Sequence, residues 1–232
     1  MTLDLALRAT EVLLALAFLQ QSAEHIFGSK AAPLIFVPRA GLSILLLLGL
    51  YTPWVLLVLS AHSLLILRRF HGPYNGGSDR MGLLVLYCLC LSTGLLTWVG
   101  KGLGAQVAFG YLGVQVILSY FISGKVKVVN PDWRNGRALR DVFQFSAYPV
   151  SENLRQLAHR PRLLWVASWA VMVFEVLFPL SLFSTPSLIV ALGVATLFHT
   201  ANAVLFGLNR FVWFWIASYP SIVWLQIRLV SG

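Results

Sequence analysis

Several windows of this chain run close to 20 residues without a charged side chain, and that feature decides what it can fold into. Such a window is the length of helix that crosses a hydrocarbon core about 30 Å thick. A soluble domain can bury one or two of them in its core, but not six to eight. Composition agrees: 58% of the 232 residues are hydrophobic and 11% are charged, against roughly a quarter charged in an ordinary soluble domain. The expected fold is all-α, a polytopic transmembrane helical bundle embedded in a lipid bilayer.

The pattern places about eight spans in one transmembrane domain covering residues 1–232. They fall at roughly 4–27, 33–50, 54–68, 81–100, 104–123, 163–184, 187–207 and 210–229. Gly28-Ser29-Lys30 separates the first two, and Tyr51-Thr52-Pro53 makes a tight turn, since proline lacks the donor a helix interior needs. Arg68 to Arg80 is a polar loop and Lys101-Gly102 a short hinge. Ser184-Thr185-Pro186 and Leu208-Asn209 close the last two hairpins. Asp4 and Glu11, with no basic stretch ahead of a short apolar core, argue against a cleavable signal peptide. Between spans five and six, residues 124–162 carry eight Lys/Arg and three Asp/Glu and cannot span. Leu139, Val142, Phe143, Phe145 and Tyr148 give this stretch an intermittent apolar face. It is expected to be an interfacial amphipathic segment, one or two short helices on the membrane surface, held by Trp133 and by arginines at headgroups.

A net charge of +9 would suit nucleic acid, but the basic residues sit in loops between spans, where they act as topology signals and lipid contacts. Nucleic acid is excluded as a partner. With eight spans the termini share a side that collects only Arg8, Lys101 and Arg228. The other side collects Lys30, Arg68, Arg69, Arg80, Arg210 and the eight of 124–162. The positive-inside rule then puts the basic face in the cytoplasm and both termini outside, in a bacterial inner (cytoplasmic) membrane. Cys88 and Cys90 lie about 200° apart around a helix axis, so they cannot bridge each other.

Ionisable groups inside spans are costly and are functional candidates for that reason. Glu11, Gln21, Glu24 and His25 approximate one stripe of span one; Arg39, His62 and Glu175 lie in spans two, three and six. Glu24, His25 and Glu175 are read as buried polar groups, with interhelical pairing as the plain alternative to function. His199 and Asn202 share a face of span seven. Asn75, Asp79, Lys125, Lys127, His199, Asn202 and Arg210 fall at the ends of their spans on the basic side, as in a site built between helices. No metal site is expected.

The run Tyr120-Phe121-Ile122-Ser123-Gly124-Lys125-Val126-Lys127, followed by Asp132-Trp133-Arg134-Asn135-Gly136, resembles the membrane domain of vitamin K-dependent gamma-glutamyl carboxylase. Phe198-His199-Thr200-Ala201-Asn202, with Leu205-Phe206 and Ala217-Ser218-Tyr219-Pro220 after it, is similar to a second segment of that family. Its bacterial relatives form the horizontally transferred transmembrane domain family. The resemblance runs from about residue 40 onward. It implies a quinone or quinol cofactor, with Lys127, three residues after Gly124, as the base acting on the quinol. His199 would be its catalytic companion, and Asn75, Asp79, Asn202, Lys125 and Arg210 would bind a small amphiphilic substrate. Burial is the physical ground for a lysine base, because desolvation disfavours the ammonium. A lysine snorkelling to the interface is the alternative for the same residue.

Two departures separate the chain from the carboxylases. Gly77 stands where the family's Asn-Asn-His-Ser segment has a functional histidine, and the large lumenal region that captures protein substrates is absent. The carboxylase also works on the lumenal side, opposite to the face the charge count selects. Two functions stay open: an intramembrane enzyme acting on a quinol or lipid-like substrate, or a non-enzymatic accessory, assembly or maturation factor for a partner membrane protein or exported peptide. A transporter comes third, since no inverted repeat or broken helix pair is evident.

Overall fold

The computed structural model describes residues 1–28, 33–69, 77–145 and 152–231. Among them every regular element is helical and there is no strand. That is what hydrocarbon demands of a chain whose backbone N–H and C=O groups must be satisfied within each segment. Eight long helices are α1 (Leu3–Gly28), α2 (Pro33–Leu48), α3 (Thr52–Arg69), α4 (Gly77–Gly94), α5 (Gly102–Val129), α9 (Pro161–Leu177), α10 (Thr185–Phe206) and α11 (Asn209–Ser231). Short helices α6 (Pro131–Arg134), α7 (Arg137–Phe145) and α8 (Glu152–Arg155) lie between α5 and α9. A π-helical turn, Leu95–Val99, extends α4, and a 3-10 turn, Phe178–Phe183, extends α9.

Among the described residues, four segments are long and apolar enough to cross a membrane: Gly77–Val99, Gly102–Val129, Pro161–Phe183 and Thr185–Phe206. Leu34–Leu48 and Thr52–Arg68 are apolar but shorter.

Two sequence expectations need correction. The fifth span does not stop at residue 123. Nothing breaks the helix before Asn130-Pro131, so α5 runs to Val129, and Lys125 and Lys127 belong to it and not to a surface segment. The turn after α2 is made by Gly49 and Tyr51, both with positive φ (73° and 52°), while Pro53 sits in the first turn of α3, where its missing N–H costs nothing. The Trp133 ring centroid lies 5.3 Å from the Lys127 amine.

The chain divides into two compact units, Met1–Val114 with Arg210–Gly232, and Gln115–Asn209. In the first, Gly82 lets Phe214 lie against α4, since a Cβ there would come within 2.7 Å of the ring. Phe214 meets Phe18 of α1 edge to face. The Arg8 guanidinium donates to the Leu46 and Leu47 carbonyls at 2.9 and 2.6 Å, satisfying the open C-terminal end of α2. Its remaining partner is Glu11, at 2.9 Å.

In the second unit, Gly124 lets α5 and α9 touch at backbone distance: a Cβ there would lie 2.7 Å from the Val176 nitrogen and 2.8 Å from the Glu175 Cβ. Asn130 caps α6 by accepting from the Asp132 N–H at 2.9 Å. The Trp133 and Arg134 carbonyls accept from the Ser168 hydroxyl and the Trp169 indole of α9, at 2.5 and 3.1 Å. Gly136, at φ 80°, passes within contact of the Trp165 backbone. Leu139 and Phe143 of α7 turn inward onto Phe206, Ala158 and Leu164, whereas Val142 and Phe145 remain exposed. The apolar face expected to lie on the membrane is thus divided. Tyr148 lies outside the described residues.

Candidate functional site

On α5, Tyr120, Gly124 and Lys127 recur at the spacing of one helical face. Each makes a different contact. Tyr120 is buried, stacks on Phe178 with ring centroids 4.1 Å apart, and places its hydroxyl 2.8 Å from Nε2 of His199. Gly124 supplies the close approach to α9. Lys127, one turn on, then reaches Glu175: its Nζ lies 2.7 and 2.6 Å from the two carboxylate oxygens. Glu175 is 3% exposed. An ammonium held by both oxygens of a buried carboxylate is a strong, charge-assisted pair.

The Lys127 side of this pair opens on a cavity of about 610 Å³. Its walls are mainly apolar, with Leu139, Val142, Phe145, Val171, Phe198 and Phe206; Trp133 and Asn202 also face it. An apolar chamber with a few convergent polar groups is the usual form of a small-molecule site. The chemistry available at the pair is proton exchange. The lysine can pass its proton across 2.6 Å to the carboxylate and become a neutral amine, with no change in net charge.

Asp79 and Arg210 come together in the first unit. The Asp79 carboxylate accepts from the Gln21 amide at 2.8 Å and lies 3.8 Å from the Arg210 guanidinium. Arg210 also donates to Glu24 and to Nε2 of His25, at 3.1 and 2.9 Å. Gln21, His25, Asp79 and Arg210 border a second cavity, of about 310 Å³.

The structure therefore brings Lys127 and Asn202 to one cavity and Asp79 and Arg210 to another; His199 is engaged with Tyr120. Lys125 is exposed. Asn75 lies outside the described residues. Of the three groups expected to be buried, Glu175 is, His25 is half-buried, and Glu24 is exposed, because it occupies the last turn of α1 and reaches out to Gln20 and Arg210. Sequence reasoning named Glu175 without naming its partner. The available signal was Gly124, a small residue on the same face as Lys127.

The HTTM domain family model matches residues 106–224, just over half of the chain. The chain belongs to the HTTM domain family. As an HTTM protein it is an integral membrane protein related to the membrane domain of the vitamin K-dependent carboxylases. Neither a search of the curated proteins nor one of the solved structures found a match. The HTTM match contains Tyr120, Gly124, Lys127, Glu175, His199 and Asn202. It begins later than residue 40, so the 310 Å³ cavity, apart from Arg210 and Phe214, is built by residues outside the match.

Proposed function

We propose that the Lys127–Glu175 pair is the acid–base centre of an intramembrane enzyme acting on a quinol or a similar amphiphile. The observation that carries this reading is the pair itself, at the wall of an apolar 610 Å³ cavity. Trp133, Phe198 and Phe206 offer ring faces for a quinone nucleus, and the Lys127 amine and Asn202 amide offer donors to its oxygens. A quinol bound there would supply an acidic hydroxyl. Glu175 would take the lysine proton, leaving Lys127 to receive the next one at Nζ. Tyr120 and His199 would hold the neighbouring turns of α5 and α10 in register. We take the protein to be a single eight-span domain in the bacterial inner membrane, basic face cytoplasmic and termini outside.

Lys127→Arg is the deciding variant. Arginine keeps the ion pair with Glu175, yet its guanidinium stays protonated and cannot act as a base. Purified protein is mixed with a short-chain naphthoquinol under oxygen. Binding is followed by tryptophan quenching, with Trp133→Phe as reference, and quinol consumption by absorbance. The enzyme reading expects Lys127→Arg to keep binding and lose consumption by 100-fold or more, within the range of general acid–base catalysis. Full activity in Lys127→Arg ends that reading. A wild-type protein that binds no quinol and co-purifies with a partner membrane protein supports the accessory role in its place, which the glycine at position 77 favours.

A further inference from the structure

The 310 Å³ cavity of the first unit is lined by a buried guanidinium that, among the described residues, meets no carboxylate directly. Arg39, on α2, is 4% exposed. One of its amines donates to the Gln21 amide oxygen at 2.8 Å, and its guanidinium carbon stands 4.0 Å from the centre of the Phe18 ring. Among the described residues it forms no ion pair, and its Nε, fully buried, meets no acceptor. Asp79 is already occupied by Gln21 and Arg210, so Arg39 reaches that carboxylate only through the Gln21 amide. Ser63, also 4% exposed and also bordering the cavity, has a hydroxyl with no partner among the described residues. Arg39 and Arg210 line the cavity with Asp79, and Arg210 has Glu24 as a second carboxylate, at 3.1 Å, whereas Arg39 touches neither. The remaining wall is apolar, with Phe36, Ile66, Leu67 and Leu83 prominent.

A buried guanidinium without a directly paired anion is unfavourable, and the Phe18 and Phe36 rings, at 4.0 and 5.9 Å, offset only part of that cost. The planar fork of arginine matches the two oxygens of a carboxylate or phosphate. We infer that this cavity is a binding site for an amphiphile with a carboxylate or phosphate headgroup, the anion on Arg39 and Ser63 and the tail along the apolar wall. Every residue of the site belongs to the first unit, so it stands independently of the acid–base centre in the second.

The test uses the full chain in phosphatidylcholine nanodiscs and four probes: dodecanoate, dodecyl phosphate, dodecanol and inorganic phosphate. Affinities are read by isothermal titration on the wild type, Arg39→Gln and Arg39→Lys. The tailed anions are expected to bind wild type at least tenfold more tightly than dodecanol. Arg39→Gln should erase that preference, and Arg39→Lys, a charge without the fork, should restore part of it. Arg39-dependent binding of the tailed anions but not of inorganic phosphate supports the amphiphile; equal binding of inorganic phosphate shows that the tail contributes nothing and overturns it. Wild-type affinity for dodecanol equal to that for dodecanoate overturns it without recourse to any variant. A preference for the anions that survives Arg39→Gln overturns it as well.

Discussion

At position 124 a single methyl group separates two arrangements of the second unit. Alanine there would put its Cβ 2.7 Å from the Val176 nitrogen, a backbone atom that cannot swing aside, so α5 and α9 must part. Overpacking of this kind costs about 1–3 kcal/mol. Gly124→Ala is expected to lower the thermal midpoint and, by drawing Lys127 off Glu175, to weaken quinol binding. An effect on neither would show the close approach to be incidental. Lys127→Ala leaves a buried carboxylate unpaired and should cost about 3–5 kcal/mol. Lys127→Ala with Glu175→Gln should recover much of that, which a double-mutant cycle in thermal unfolding measures. Glu175 was legible in the sequence as an ionisable group inside an apolar span, and Lys127 as a basic residue at the end of another. Their partnership was not, because they lie 48 residues apart and meet only through the rotation and spacing of two helices.

Helix existence was the most legible feature, since glycine, proline and charge punctuate apolar runs. Helix ends were less so. The lysines near the end of α5 looked like a boundary, but charge does not stop a helix, whereas the change of backbone at Asn130-Pro131 does. Residues 130–145 were legible as amphipathic, yet not where their apolar side chains go. Phe143 packs on Phe206, which lies in another helix far along the chain. The Asp-Trp-x-x-Gly motif has an architectural explanation here: it fastens α6 to α9 and positions the Trp133 ring beside Lys127. Gly136 is the motif's close approach to α9, with φ at 80° and an alanine Cβ meeting the Trp165 nitrogen at 3.0 Å. The left-handed conformation alone costs a non-glycine residue about 1–2 kcal/mol. Gly136→Ala should therefore speed proteolysis between α6 and α9 while α1–α4 stay protected. Unchanged cleavage there would refute the anchoring role.

On the scale of the molecule, the eight-span reading rests on α5. Its 28 residues rise about 42 Å, more than the hydrocarbon thickness. Lys101, just before it, and Asn135, soon after it, should then lie on opposite faces of the membrane. With Cys88 and Cys90 replaced by alanine, cysteines at 101 and 135 should react with an impermeant maleimide from opposite sides. Position 135 should be labelled from the cytoplasmic side if positive charge orients the protein. Labelling of both positions from one side would remove the topology.

The Lys127–Glu175 pair has an electrical consequence. Moving a unit charge across the whole membrane changes its energy by roughly 2.3 kcal/mol per 100 mV. A proton passing from Nζ to the nearer carboxylate oxygen moves less than the 2.6 Å between those atoms, a small fraction of a core about 30 Å thick, so the field adds no more than about 0.2 kcal/mol. The pair also never acquires net charge during the exchange. Vesicles polarised with valinomycin and potassium should therefore consume quinol at the same rate as depolarised ones. A clear voltage dependence would mean that the proton arrives by a longer path.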